Sequence, residues 1–469
     1  MASPPKFSSS FSFVLLLYFL SLTYLSPPTS STVTVPLSLS HFNPNPSPDT
    51  FQKLNHIASV SLSRAKHIKN PPSLSQITTK EPLFSHSYGG YSIPLSFGTP
   101  PQTIPFLLDT GSDLVWFPCT HRYFCKNCSF PSNPTNIPSF IPKLSSSSKL
   151  LGCVNPKCGW IHDPDVQSRC RDCESDFKNC SQICPPYIIL YGSGTTGGIA
   201  LEETLDLPNL KVPDFVVGCS LFSQRQPVGI AGFGRGSASL PSQLGLSKFS
   251  YCLLSRKFDD SEKSSDLILD TGSTSDKKTE GLSYTPLLKN PFAGKNDFSV
   301  YYYVGLRRIS VGGKKIKAPY KYLNPGPDGN GGTIIDSGTT FTYMVGEVFN
   351  LVADEFVNQV TSYERAINVE QMTKLRPCFN ISGSETVSFP ELKFHFKGGA
   401  ELALPLANYF SIVNDVVCLT MVTDGVLSDV SDGGPSIILG NFQQQNFYME
   451  YDLRKERLGF RHQSCNNKN

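Results

Sequence analysis

A mostly-β chain built from two related lobes is predicted by three features of its 469 residues. A short motif occurs twice, 227 positions apart: Phe106-Leu107-Leu108-Asp109-Thr110-Gly111-Ser112 and Thr333-Ile334-Ile335-Asp336-Ser337-Gly338-Thr339. Short alternating runs recur along the chain, at Tyr301–Leu306, Phe394–Phe396, Val416–Val422 and Phe447–Tyr451. The 36 Gly and 37 Pro, with abundant Ser and Thr, supply the turns that many short strands need. Helical spacing is scarce. It covers Glu347 to Val360, with Val348, Leu351, Val352, Phe356 and Val360 on one face, and a turn near Leu240–Leu244.

In chain order, Lys6 precedes an apolar run from Phe11 to Leu25. At about fifteen residues it is short for a membrane span and suits the core of a secretory signal. A signal over 1–26 is expected, cut between Leu25 and Pro28; a Ser-rich, acid-poor start also fits an organelle transit peptide. Residues 27–85 are Pro/Ser-rich and then basic, with Lys53, Arg64, Lys66, Lys69 and Lys80 and no acid between Phe51 and Lys80. This stretch reads either as a linker or as an inhibitory prosegment whose cations pair with carboxylates of a cleft and let go in acid. An N-terminal lobe over 86–290 and a C-terminal lobe over 291–469 follow, with the junction near Lys289–Ser299. The C-terminal tail is polar, so no lipid-anchor signal ends the chain as given.

The net charge of +3 resides at the front, where residues 1–85 carry six Lys/Arg and two Asp/Glu, leaving 35 basic against 36 acidic residues beyond. A near-neutral body offers no electrostatic case for nucleic acid or an anionic membrane. All fourteen cysteines lie at or after Cys119, and nine fall within 119–184. An even count behind a secretory signal reads as disulfides. Nine is odd, so at least one of the nine pairs outside the block. Cys125-x-x-Cys128 and Cys170-x-x-Cys173 also have zinc-ligand spacing. Asn127, Asn179 and Asn380 open glycosylation sequons, Asn380 being the best placed.

Each copy of the repeated motif ends a buried strand on an acid, a costly place for a lone charge. If the two loops meet, Asp109 and Asp336 share a proton and act as one acid–base pair around a water. Gly111 and Gly338 then let backbone N–H groups approach the carboxylates, and Ser112 and Thr339 donate to their outer oxygens. Further shared elements are Pro227-Val228-Gly229-Ile230-Ala231-Gly232 and Pro435-Ser436-Ile437-Ile438-Leu439-Gly440, apolar stretches suited to a strand crossing behind each acid. Between the two motifs, Tyr187–Leu190, a glycine-rich turn and Ile199–Leu201 make a hairpin. Gly192-x-Gly194-x-x-Gly197 in that turn mimics a dinucleotide fingerprint, but no helix opens there, so that reading is rejected.

From roughly residue 88 onward the chain resembles the pepsin-like aspartic endopeptidases, and among them the atypical plant branch that includes the nepenthesins. The matching pieces are Phe97-Gly98-Thr99-Pro100-Pro101-Gln102, both Asp motifs, Trp116, Tyr191-Gly192-Ser193-Gly194 and Ile438-Leu439-Gly440-Asn441-Phe442. The resemblance implies a bilobal acid-protease fold with pseudo-twofold β lobes and the active site between them. It implies catalysis by Asp109 and Asp336, support from Thr110, Gly111, Ser112, Ser337, Gly338, Thr339 and Trp116, and a flap over 187–201. Tyr191, Gly192, Ser193 and Gly194 would lie at the flap's tip, with the tyrosine hydroxyl reaching toward Trp116. It implies Cys378–Cys418 and Cys252–Cys465 bonds, a disulfide-stapled insertion over 119–184, and Cys219 reaching back to that block. The expectation is a monomeric enzyme without metal or cofactor, acting on protein or peptide substrates in acid, in the extracellular space or vacuole, with the chloroplast less favoured. An inactive binding protein on the same fold, like the plant xylanase inhibitors, is the alternative; loss of either Asp or of the tyrosine would favour it, and all three are present. No Gly-x-Ser-x-Gly or His-Glu-x-x-His motif supports another hydrolase.

Overall fold

The computed structural model describes residues 32–39 (backbone only), 50–69 and 89–465, apart from 129–136, 163–165, 167, 169, 171–180, 193, 227, 256–263, 273–278, 290–297 and 426–432. The signal region, Asn179, Ser193 and most of the expected lobe junction therefore lie outside the described residues. The architecture is mostly β in two lobes on a shared platform. Strand Tyr91–Phe97 pairs antiparallel with Gln102–Asp109, and the long hairpin Gly194–Leu207 with Leu210–Gln224 wraps the N-terminal lobe. Five phenylalanines, Phe97, Phe106, Phe117, Phe140 and Phe215, fill that lobe with edge-on and tilted ring contacts.

The C-terminal lobe repeats the arrangement around Thr333–Ile335 and Ile437–Leu439. Its helix runs Gly346–Gln359 and buries Val348, Phe349, Val352, Ala353 and Phe356. Leu351, expected on that face, is 38% exposed; the apolar stripe follows the 348–352–356 and 349–353 rows and passes it by. The turn near Leu240–Leu244 is a short helix over Leu240–Gln243, capped by Ser239.

Chain order and lobe part company at the platform. Lys248–Cys252 pairs with Phe447–Asp452, and Ser283–Leu288 pairs with Arg457–His462, so the final strands return to the first half. Phe249, Tyr251, Tyr302 and Tyr451 pack at this seam, all buried. Cys252–Cys465 staples its edge.

The 27–85 region contains regular structure that sequence reasoning did not anticipate. Thr32–Leu39 adds an antiparallel strand to Ser264–Asp270 at the platform's edge and continues onto Tyr91 and Ser92. Thr50–Lys69 is a 20-residue helix that buries Leu54, Ile57, Ala58, Ser61, Ala65 and Ile68. That stripe has i, i+3/i+4 spacing, so one face of this helix is a packing surface and a plain linker does not describe it.

Six disulfides occur among the described residues. Cys119–Cys219 carries one cysteine out of the dense block, while Cys125–Cys128, Cys153–Cys170 and Cys158–Cys184 close within it. Both zinc-spaced motifs thus have sulfurs committed to bonds; Cys173 and Cys180 lie outside the described residues. Cys378 and Cys418 face each other in register on adjacent strands and are bonded.

Candidate active site

Each acid stands at the end of a buried strand flanked by a parallel one. Gln102–Asp109 lies beside Gly229–Gly232, with Asp109 opposite Gly232, and Thr333–Ile335 lies beside Ile437–Leu439. The backbone N–H of Asp336 donates to the Leu439 carbonyl at 3.0 Å, and that of Phe233 to the Asp109 carbonyl at 2.7 Å. The crossing strands inferred behind both motifs occupy these positions; Pro227 itself lies outside the described residues.

The two loops are bolted to each other reciprocally. The Thr110 N–H donates to Ser337 Oγ at 3.0 Å, and the Ser337 N–H donates to Thr110 Oγ1 at 2.8 Å. Each hydroxyl then donates onward to the other lobe's strand, Ser337 Oγ to the Leu108 carbonyl and Thr110 Oγ1 to that of Ile335. Asn441 adds a strut, donating to the carbonyls of Ser337 and Gly89. The sequence placed Thr110 and Ser337 near the site without revealing this exchange, which exists only once the halves meet.

Around the acids the symmetry holds atom for atom. Gly111 and Gly338 N–H groups donate to the inner oxygens of Asp109 and Asp336, both at 2.9 Å. Ser112 Oγ donates to the outer oxygen of Asp109 at 2.6 Å, and Thr339 Oγ1 to that of Asp336 at 2.5 Å. The glycines have a second reason to lack a side chain. A Cβ on Gly338 would sit 2.2 Å from Asp109 Oδ1, and one on Gly111 would sit 2.7 Å from Asp336 Oδ1. Each motif's glycine thus abuts the other motif's acid.

A cation from the helix Thr50–Lys69, here called the cleft helix, occupies the point where both acids converge. Arg64 Nη2 donates to Asp109 Oδ1 at 2.6 Å and to Asp336 Oδ1 at 3.3 Å, while Nε donates to Asp336 Oδ2 at 2.8 Å. Arg64 is 9% exposed and Asp336 fully buried. Burial pushes the Asp336 carboxyl upward, but the Arg64 charge and hydrogen bond, with Thr339 and Gly338, outweigh it and hold the group below the ordinary carboxylate range. Burial raises Asp109 instead, and the neighbouring Asp336 charge adds to this against the pull of Arg64. One side chain one turn further along the same helix, His67, is pushed down to about 4, by burial and then by the Arg64 charge.

The hairpin Tyr187–Tyr191 with Gly194–Leu207 closes over this helix. Trp116 Nε1 donates to the Tyr191 hydroxyl at 2.8 Å, and Ser63 Oγ donates to the Gly192 carbonyl at 2.5 Å. A Cβ on Gly192 would lie 2.2 Å from Arg64 Cα, so the turn rests directly on helix backbone. Leu107, Tyr191 and Ile230 form the apolar wall of a small recess beside Asp109, with Arg64, Gln226 and Thr340 on its other sides.

Asp113, four residues past Asp109, drew no attention in the sequence. Its carboxylate accepts the Gly236 N–H at 2.9 Å, and burial pushes it up to about 7 despite that bond, with the Asp109 charge adding to the rise. Asn127 and Asn380 are exposed.

A pair of carboxylates from duplicated loops, cross-bolted and each oriented by a glycine N–H and a hydroxyl, defines a site able to share one proton. Known proteins match accordingly. Residues 91–273 match the family described as Xylanase inhibitor N-terminal, and residues 301–462 that described as Xylanase inhibitor C-terminal. The chain belongs to the pepsin-like aspartic protease family, in its atypical plant branch. A probable aspartyl protease of Arabidopsis thaliana is 35% identical over 423 residues, spanning 80% of this chain and 82% of that protein. Aspartic proteinase nepenthesin-1 of Nepenthes gracilis is 34% identical over 385 residues, spanning 80% of this chain and 78% of that one. Among solved structures, edgp superposes with a TM-score of 0.62 at 19% identity, covering 92% of this chain and 95% of its own. Basic 7S globulin from soybean follows at 0.60 and 17%, covering 93% and 99%. These two share the fold.

Proposed function

We propose that this chain is the precursor of an aspartic endopeptidase, in which Asp109 and Asp336 activate one water to hydrolyse peptide bonds in acid. The observation that carries the reading is the convergence of both buried carboxylates on a single guanidinium, because a group seated there touches both acids at once. With that place vacated, the ionised partner takes a proton from a water held between the acids. The water oxygen attacks the scissile carbonyl carbon while the protonated partner gives its proton to the carbonyl oxygen. Collapse of the tetrahedral intermediate returns a proton to the leaving nitrogen. The flap supplies backbone groups to an extended peptide, and the recess at Leu107, Tyr191 and Ile230 suits an apolar side chain beside the cleaved bond.

Residues 50–69 act in this reading as a removable plug within a prosegment over 27–85. Two shifts favour release in acid, against Asp109, whose raised value acts in the opposite direction. His67 has its folded value depressed from 6.5 to about 4, so it leaves docking unopposed above 6.5 and opposes it increasingly as pH falls toward 4. Asp336, held below the ordinary carboxylate range, contributes docking that is likewise lost in acid. A signal over 1–26, secretion to the extracellular space or vacuole, glycosylation at Asn380 and a monomeric state complete the proposal. What supports activity over a non-catalytic binding role is that the dyad, its donors and the flap tyrosine are all present. The test is digestion of an unfolded protein at about pH 3–5, with and without pepstatin, by the acid-treated full chain. Pepstatin-sensitive cleavage is expected; an inert chain after removal of residues 50–69 ends the reading.

A further inference from the structure

The cleft helix carries a second cation into a second pocket. Lys69 lies five residues beyond Arg64, and its side chain is 5% exposed. Its Nζ donates to the Tyr343 hydroxyl at 3.1 Å, and that hydroxyl donates to Asp424 Oδ2 at 2.7 Å. Nζ stands 3.9 Å from the same carboxylate oxygen and 5.4 Å from the centre of the Tyr343 ring. The backbone of Lys69 is seated as closely: a Cβ on Gly434 would fall 2.9 Å from Lys69 Cα.

The pocket's own groups are the informative part. Asp424 has a side chain 10% exposed, and its other oxygen, Oδ1, is buried with no hydrogen-bond partner among the described residues. Tyr343 is fully buried and placed on the strand Thr342–Met344 that leaves the second Asp motif. A carboxylate so enclosed is costly without a cation, and Lys69 supplies one only while the helix is docked. Once residues 50–69 depart, an anionic, aromatic-walled recess is left open on the same cleft that holds the dyad.

We infer that Asp424 and Tyr343 form a substrate subsite that selects a basic side chain, and that Lys69 occupies it in the precursor as a stand-in. Five helical residues advance about 7–8 Å along the axis, and an extended peptide advances about 3.3 Å per residue. The selected Lys or Arg therefore sits about two residues from the scissile bond. The ammonium lies over the tyrosine ring and beside the carboxylate, as Lys69 does. Asp424 is a specificity residue here, with no part in the proton transfers. This subsite rests on the peptidase reading above.

The test is a set of quenched peptides with Lys or its uncharged near-isostere norleucine scanned across the three positions on either side of the cleaved bond. They are cut by the acid-matured full chain at about pH 5. The wild type is expected to favour Lys over norleucine at one position by about tenfold in kcat/KM, a difference of about 1.4 kcal/mol. In Asp424→Asn that ratio falls to near one. Because the readout is a ratio within one preparation, it is insensitive to the amount of active protein. Should Asp424→Asn give no measurable turnover, Tyr343→Phe replaces it, and the ratio must narrow there too. A wild-type ratio near one at every position, or a ratio unchanged in the variant, overturns the subsite alone. No cleavage of any peptide by the wild type removes the peptidase reading and the subsite with it.

Discussion

Arg64 reaches both buried acids of the site with one guanidinium. Replacing it by Met leaves Asp109 and Asp336 facing each other uncompensated, and removing one partner of a buried ion pair costs about 3–5 kcal/mol. Arg64→Met is expected to loosen residues 50–69 at neutral pH, read as faster amide exchange over that helix with the rest of the chain unchanged. Equal protection in both proteins would refute the plug. His67→Leu removes a group that resists docking only once protonated. Its release midpoint is expected to move down by about half to one pH unit, measured by the pH at which the segment becomes accessible to an added protease. Asp113 works in the opposite sense. Its value is raised to about 7, so the stability it favours is complete below the ordinary carboxylate value and is lost as pH rises through 7. Asp113→Asn keeps the acceptor for Gly236 and should flatten the fall in melting temperature between acid and neutral pH; an unchanged slope rejects that role.

The two catalytic loops behave as one element because Thr110 and Ser337 each donate to and accept from the other half. Thr110→Val keeps the shape but strands the buried Ser337 N–H, a loss of about 1–3 kcal/mol. Thr110→Ser should restore most of it; comparable melting of both variants would show the exchange to be unimportant. The motifs themselves were legible because everything that identifies them is local: an apolar strand, an acid, a small hydroxyl residue, a glycine. The exchange was not, since its two ends are 227 positions apart and only docking joins them. The cleft helix lay between these cases. Its stripe, Leu54, Ala58, Ser61, Ala65 and Ile68, is written in the sequence, but it is interrupted by polar residues and flanked by Pro- and Ser-rich stretches, so the prosegment was legible as a basic segment and not as a helix. That basic residues there would meet cleft acids was suggested by their charge together with the family resemblance. Which of five cations reaches the dyad depended on helix phase, and phase needs the helix.

At the scale of the molecule, the platform explains why two lobes act together. Its strands alternate between early and late parts of the chain, so neither half completes it alone. Cys119–Cys219 spans 100 residues and ties the start of the insertion to the wall behind the flap. The reading of a paired β fold needed only the repeat, the short alternating runs and the turn-rich composition; the resemblance supplied Cys252–Cys465 and Cys378–Cys418, while the partners inside the dense block needed coordinates, because spacing leaves many connectivities open. The central claim is that Asp109 and Asp336 are halves of one acid–base device. Peptide hydrolysis by matured Asp109→Asn and Asp336→Asn tests it most directly, scored as kcat alongside the wild type. Each variant is expected to lose at least about a thousandfold, and the double variant scarcely more. Either single variant turning over peptide at the wild-type rate would contradict the account.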